Sequence, residues 1–479
     1  MARDVRFWGI HRLNPWPARL ILAVSSLPSA SRCSLAGWGR TSPSVATVLG
    51  VNAQTAAQAL QQASPRGVLA RGLGRAYGDA AQNGGGLLLR LSDTAHLAVI
   101  DEARDEVTVG AGASIDELLK VLVPRGYFVP VTPGTRFVTI GGAIASDIHG
   151  KNHHGEGSFG NHLRRMSLLL ADGSTVQLSP SSQPELFWAT LGGMGLTGIV
   201  LDATFALLAI ETSLCRVDTV RADNLDHVLQ LMEEGDSRYR YSVAWVDMLS
   251  RGKNFGRSVL TSGDHATRAD LVDAGVKNPD AYHPRILAHV PAFVPNGLIN
   301  RLTSQVFNEV WFRKAPRNGI GELHSIANFF HPLDMVGSWN RLYGRGGFVQ
   351  YQFVLPFQQV GVLRSIVERV VIARAASPVV VLKRFGASNS APLSFPAPGW
   401  TLTVDIPAAF PGLAKLLHGL DHMVLEAGGR HYLAKDSHTT PEAIKVGYPR
   451  LAEWRAIRDQ ADPHGLWRSD QARRLGLVD

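Results

Sequence analysis

The stretch ARGLGRAYGD, residues 70–79, constrains this chain more than any other. It lies between two segments that read as strands, Gly67–Arg71 and Leu87–Leu91. Gly72, Gly74 and Gly78 strip side chains from a tight loop, so that backbone N–H groups can approach an anion and the chain can enter the left-handed region. The spacing is G-x-G-x-x-x-G, and AQNGGG (81–86) runs directly into LLLRL with no helix between. A Rossmann βαβ unit needs a helix N-terminus after its turn, which argues against that fold. From this loop alone, a phosphate cradle and a plain Gly-rich connector both stand.

Two further clusters tip the balance. Residues 133–162, PGTRFVTIGGAIASDIHGKNHHGEGSFGNH, and 191–200, LGGMGLTGIV, interleave glycine with apolar residues and are not linkers. Buried, side-chain-poor backbone wrapped around a ligand is the economical account. Three such loops joined by strands resemble the flavin domain of the vanillyl-alcohol-oxidase type, the PCMH fold. The phrases GWGRT, ARGLGRAYGD, NGGG, PGTR, GGAIASDIHGKNHH, GSFGNH, LFWATLGG, GLTGI, FHPLDM, QYQF, APLSFPAPGW and AKDS run in order from about Arg32 to the C-terminus. Together they resemble the decaprenylphosphoryl-β-D-ribose 2-oxidase family.

That resemblance implies an α+β fold of two domains: a PCMH-type FAD-binding domain and an antiparallel-sheet substrate domain with flanking helices. The expected boundaries are 32–210 for the first and 211–428 for the second, with 429–479 returning to the FAD domain. Residues 1–31 read as an extension, disordered or preceding the true start. Their short apolar run LILAV is faintly signal-like, but Pro15, Pro17 and Arg19 interrupt it.

Local signals fill in the frame. NAQTAAQALQQA (52–63) favours helix. Ser114 and Glu117 form a capping box. Asp172-Gly173 predicts a type I′ hairpin, Pro184 opens a helix, and VTVG pairs with HLAVID. Strands are expected over 241–249, 348–356, 379–386 and 400–407, and helices over 363–375 and 413–429. Residues 263–325, rich in Pro, Gly, Asn and Asp, are expected to include mobile loops.

At 479 residues, the chain is too long for one ordinary core. A net charge of +8 suggests an anionic partner. There is no basic run or recognised motif for nucleic acid, so a phosphate-bearing substrate or an anionic membrane fits better. Cys33 and Cys215 make no disulfide framework and no zinc spacing. No apolar run reaches the roughly 18–20 residues of a spanning helix.

Flavin oxidation of a secondary alcohol asks the protein for positioning, a base and a fixed charge for the substrate. Lys435, in YLAKDS, is either a surface lysine paired with Asp436 or a buried base beside the flavin; the resemblance makes it the active-site lysine. Tyr77 either packs or orients the alcohol. His149 and His153 have i, i+4 spacing, but Gly150 and Asn152 disfavour helix and no carboxylate or thiolate completes a metal set, so no metal is expected. The resemblance places His149 by the flavin.

The same resemblance assigns cofactor contacts to Ala70, Arg71, Gly72, Leu73, Gly74, Arg75, Ala76, Tyr77, Gly78, Asp79 and Ala80. It adds Gly134, Thr139, Ile140, Gly141, Gly142, Ser146, Asp147, Ile148, His149, Val200 and Tyr432. The substrate pocket is assigned to Lys151, Trp245, Phe330, Gln350, Gln352, Lys383 and Thr403. Arg75 stands where several relatives of the superfamily carry a flavin-tethering histidine, so the FAD is expected to be non-covalent. Thr403 replaces a cysteine of the family and leaves no thiol in the pocket for nitroaromatic trapping. Phe330 replaces a tyrosine and keeps the ring.

The implied reaction oxidises the 2′-hydroxyl of decaprenylphosphoryl-β-D-ribofuranose to a ketone on the route to cell-wall arabinan. A separate NAD(P)H-dependent short-chain reductase completes the epimerisation. The implied location is the cell envelope, peripheral to the plasma membrane, on the periplasmic or the cytoplasmic face. Two other readings stand beside it: an alditol or aldonolactone oxidase, and a non-catalytic flavoprotein scaffold.

Overall fold

A computed structural model describes residues 29–91, 98–375 and 378–478. Most of the predicted N-terminal extension, and the start of HLAVID, lie outside the described residues. The first Gly loop connects Val68–Ala70 to Leu87–Leu91, which pair in parallel with no helix in the crossover. Ser44–Val51 flanks Leu87–Leu91 on its other side, also in parallel, and Ser31–Leu35 closes the four-stranded sheet. A second sheet of five antiparallel strands holds Val99–Asp101, Glu106–Gly110, Ile199–Ala206, Leu163–Leu169 and Thr175–Leu178 in that spatial order.

The capping box forms as expected: Glu117 N–H donates to Ser114 Oγ at 3.2 Å, and the Glu117 carboxylate accepts from Ser114 N–H at 2.9 Å. It starts the helix Ile115–Leu122, whose Ile115, Leu118, Leu119 and Leu122 fill the core beneath the second sheet.

The turn at Asp172-Gly173 differs from expectation. A type I′ turn needs positive φ at both residues, but only Gly173 has it (φ 85°). Leu170 C=O accepts from Gly173 N–H at 3.1 Å, and Asp172 Oδ1 accepts from Ser174 N–H at 2.8 Å. The aspartate side chain thus favours a three-residue loop, a tight turn followed by a left-handed glycine.

The third sheet has eight antiparallel strands. Asn318–Ser325 and Arg430–His431 lie at its edges, with Tyr241–Val246, Val380–Phe385, Gly399–Pro407 and Phe348–Leu355 adjacent in its second half. Strand alternation divides its two faces. Val349, Tyr351, Phe353 and Leu355, with Trp400, Leu402, Val404 and Ile406, pack beneath the helices Leu225–Gly235, Val360–Ala373 and Leu413–Glu426. The intervening residues, Gln350, Gln352, Thr401, Thr403 and Asp405, turn to the opposite face.

The segment 263–325 carries its long loops ahead of one α-helix. It contains the 14-residue helix Arg301–Lys314, nucleated by a capping box between Asn300 and Thr303. Among the described residues, no helix is long and apolar enough to cross a membrane.

Candidate active site

A cleft of about 320 Å³ runs between the first Gly loop, the Pro133–Ser146 segment and the polar face of the eight-stranded sheet. Its lining includes Ala70 to Tyr77, Ala80, Gly134, Thr139, Gly141, Gly142, Ser146, Ile148, His149, Val200, Gln350, Gln352, Lys383, Thr403, Tyr432 and Lys435. Most residues named from the sequence therefore meet at one place, although they span more than 350 positions of chain.

Four of the expected cofactor residues stand behind the wall instead. A Cβ on Gly78 would come within 2.0 Å of Asp436 C=O, so this glycine makes room for the C-terminal segment. Asp79 pairs with Arg474, whose Nη2 lies 2.7 Å from Asp79 Oδ1 and 2.7 Å from Asp436 Oδ2. Ile140 fills the core. The fully buried Asp147 carboxylate accepts from Gly160 N–H, Ser158 Oγ and Asn389 Nδ2 at 2.7–2.8 Å, and from Ser394 Oγ.

Three of the expected pocket residues also sit outside the lining. Phe330 turns inward against Phe128 and Tyr241, with ring centroids 4.9 and 4.7 Å away. Trp245 is one strand beyond the cleft, paired with Val381, and its indole N–H donates to Pro378 C=O at 2.9 Å. Lys151 Nζ donates to Phe329 C=O and lies 4.1 Å from the Phe329 ring centroid. Burial lowers its pKa to about 7.

At the sheet end of the cleft, Lys435 Nζ lies over the Tyr77 ring, 3.8 Å from its centroid. The backbone sets this approach: Tyr77 N–H donates to Ala434 C=O at 2.9 Å, and Tyr432 N–H donates to Gln352 C=O at 3.1 Å. Lys435 is half-buried in the wall of the cleft. Desolvation lowers its pKa to about 7, Asp405 pulls it back up and Lys383 pushes it further down. Burial likewise brings Lys383 to about 8. The surface pairing of Lys435 with Asp436 does not form, because Arg474 holds Asp436.

Gln352 Nε2 donates to His149 Nε2 at 3.1 Å, which leaves the imidazole proton on Nδ1. Burial holds this histidine neutral, well below its usual range. His153 Nδ1 accepts from Gly386 N–H at 3.1 Å and belongs to a different element, the helix His153–Glu156. Among the described residues, no three metal-ligating side chains come together.

Sequence reasoning missed Asp405. Gln350 Nε2 donates to its Oδ1 at 2.5 Å, and Tyr343 OH lies 3.4 Å from its Oδ2. Burial pushes the pKa of the Tyr77 hydroxyl well up, and the Asp405 carboxylate and the Gln350 side chain both act on it. Burial raises the Asp405 carboxyl to about 7, against the pull of Gln350 and Lys435. The signal was available: in WTLTVDIP, Thr401, Thr403 and Asp405 alternate onto one face, and an acid on an otherwise apolar strand needs a partner. Arg474 carried no such signal, because its partners lie 38 and 395 residues away.

The residues present fit a flavin nucleotide. A Cβ on Gly134 would meet nothing within 4 Å, so the backbone is bare where it faces the cleft. Arg75 Nε and His149 Nδ1 are buried without a protein partner. Arg75 Cζ stacks 3.9 Å from the Trp38 ring centroid.

Comparison with known proteins decides the family. Residues 46–179 match the FAD binding domain model, and residues 381–475 match that of D-arabinono-1,4-lactone oxidase. The chain is 44% identical over 465 residues to the decaprenylphosphoryl-β-D-ribose oxidase of Mycolicibacterium smegmatis, covering 95% of this chain and 100% of that protein. This chain belongs to the decaprenylphosphoryl-β-D-ribose oxidase family. The oxidase is a FAD-dependent oxidoreductase of PCMH-type fold. It is also 40% identical over 374 residues to an uncharacterized Streptomyces coelicolor protein, covering 76% of this chain and all of that one. A putative D-arabinono-1,4-lactone oxidase of Neurospora crassa is 23% identical over 441 residues, with 79% and 74% covered.

Proposed function

We propose that this oxidase converts the 2′-hydroxyl of decaprenylphosphoryl-β-D-ribofuranose to the 2′-ketone, the first half of an epimerisation that supplies arabinose for cell-wall arabinan. The observation that carries this reading is the convergence of Lys435, Tyr77 and Lys383 at one end of the cleft. A base and a second, half-buried cation there suit an alcohol attached to a phosphate.

Bound FAD would supply hydride acceptance from the carbinol carbon. The first Gly loop, Arg75, Gly134, Gly141 and Gly142 would hold its phosphates through backbone N–H groups and one guanidinium. Ser146, Ile148, Val200 and Tyr432 would line the remainder. Lys435 Nζ, held near neutrality by burial, takes the hydroxyl proton. The Tyr77 hydroxyl, its ring held edge-on against Phe348, orients the alcohol. Gln352 and His149 supply neutral polar contacts, and the Lys383 charge faces the substrate phosphate. Trp245 backs this end of the cleft through its strand partner Val381. The product ketone passes to a NAD(P)H-dependent short-chain reductase, and the lipid tail places the reaction at the membrane surface of the cell envelope.

Arg75 has no imidazole to alkylate, so the flavin is held without a covalent bond. Acid precipitation of the yellow protein should leave the flavin in the supernatant; flavin in the pellet refutes that assignment. The match of residues 381–475 to the arabinono-lactone oxidase model favours a second reading, oxidation of a free sugar lactone. Anaerobic bleaching by polyprenylphosphoryl ribose but not by free sugars or lactones supports the first reading. The reverse selectivity supports the second.

A further inference from the structure

The helix Arg301–Lys314 is turned inside out. Its buried residues are polar, Ser304 and Asn308, one turn apart. Its outward stripe is apolar: Leu302, Val306 and Val310 are 70, 58 and 60% exposed. Phe307 and Trp311, also exposed, stack with centroids 5.9 Å apart. In the preceding segment Phe293 is 79% exposed and Leu287 is exposed as well.

Specific polar bonds fix this orientation. Asn308 Nδ2 donates to Asp247 Oδ1 at 2.6 Å, and Arg257 Nη2 donates to Glu309 Oε2 at 2.7 Å. The helix therefore cannot roll to bury its apolar stripe without breaking those pairs. A contiguous exposed patch of this kind marks an interaction surface.

Its charge selects the occupant. Between residues 283 and 317 the basic side chains are Arg285, Arg301, Arg313, Lys314 and Arg317, against the single acid Glu309. Glu309 is already engaged by Arg257 and Arg313. Basic residues at both ends of a helix whose free face carries Leu, Val, Phe and Trp suit an anionic lipid surface, with the axis in the interfacial plane.

The patch also adjoins the cleft. Ile299, just before the helix, packs on the cluster of Trp339, Tyr343 and Phe348, which Trp38 and Tyr77 join. Trp38, Tyr77 and Trp339 line the cleft.

We propose that the outward face of Arg301–Lys314 seats in the headgroup–acyl boundary of an anionic bilayer and presents the cleft to substrate held in that bilayer. This inference rests on the polyprenyl-phosphate reading of the substrate. It adds the lipid-facing surface: the tail stays in the apolar phase while the sugar phosphate enters the protein.

The test uses the full-length flavoprotein in vesicle flotation, with phosphatidylcholine alone and with phosphatidylcholine mixed with phosphatidylglycerol. The wild type should float with the mixed vesicles and far less with the neutral ones. The combined variant Leu302→Gln, Val306→Gln, Val310→Gln should lose flotation by about tenfold, and Arg301→Gln by about fivefold. The combined variant should oxidise a water-soluble, short-prenyl phosphoryl ribose at the wild-type rate. It should oxidise a long-chain substrate embedded in mixed vesicles about tenfold more slowly.

A wild type that does not float, or a combined variant that floats equally well, overturns the proposal. If neither floats and the substitutions only convert a dimer to a monomer in light scattering, the face is an interface between copies and the membrane assignment falls. Failure of the wild type on the short-prenyl substrate would instead sink the substrate reading, which separates the two.

Discussion

The Lys435 ammonium lies 3.8 Å above the Tyr77 ring, so that the C-terminal segment and the first Gly loop share one contact at the end of the cleft. The ring shields the lysine from water without supplying an anion. Loss of water lowers the lysine pKa, and the ring face favours the cation less than a carboxylate in the same place would.

Lys435→Ala should keep the flavin spectrum and lose oxidation by about 10²–10⁴-fold, the usual worth of a positioned base. Anaerobic bleaching under substrate measures it. Full activity in this variant overturns the role given to Lys435.

The pH profile follows from the burial of the same group. The base must be neutral, so kcat/KM should rise as pH increases through about 7 and level off above it. Asp405 raises the lysine pKa by its charge. Asp405→Asn removes that charge, and the rising limb should move to lower pH. The two groups titrate as a coupled pair, so the limb reports the pair. A limb that moves upward would separate Asp405 from Lys435.

Arg474→Gln should destabilise the protein by about 2–4 kcal/mol, because it leaves Asp79 and the buried Asp436 without their shared partner. Thermal unfolding measures this. Arg474 holds the Asp436 carboxyl down at about 2. The pairing is therefore fully present above the ordinary carboxylate range near ~4 and fades as pH falls through the depressed value. The gap in Tm between wild type and variant should narrow over that acid interval.

Thr403→Cys should leave turnover largely intact while introducing a thiol into the cleft. Thr403 lies on the polar face of its strand, and hydride transfer to flavin needs no thiolate. Steady-state rates before and after thiol modification check this, and an inactive unmodified variant would mean that Thr403 itself takes part.

The chain's local elements were legible because neighbouring residues specify them. Ser114 and Glu117 cap a helix by themselves, and the alternation in Phe348–Leu355 and Gly399–Pro407 sorts Gln350, Gln352 and Thr403 onto one face whatever lies opposite. The three Gly clusters likewise announced bare backbone. The helix Arg301–Lys314 went unread because Pro, Gly and Asn surround it in residues 263–325. Its apolar residues face outward, so the usual inference from periodicity to core fails there.

The sequence by itself determined the strands and helices that caps and alternation mark, which of their side chains share a face, and, through the resemblance its Gly clusters carry, that a flavin nucleotide is the ligand. Only the tertiary structure decided that Gly78 and Asp79 serve the C-terminal segment, that Phe330 belongs to the core, and that Asp405 lies beneath Tyr77 and Gln350. The physical reason is range. Capping and alternation act over two to four residues, whereas Tyr77 meets Lys435, and Asp79 meets Arg474, only after the chain has closed on itself.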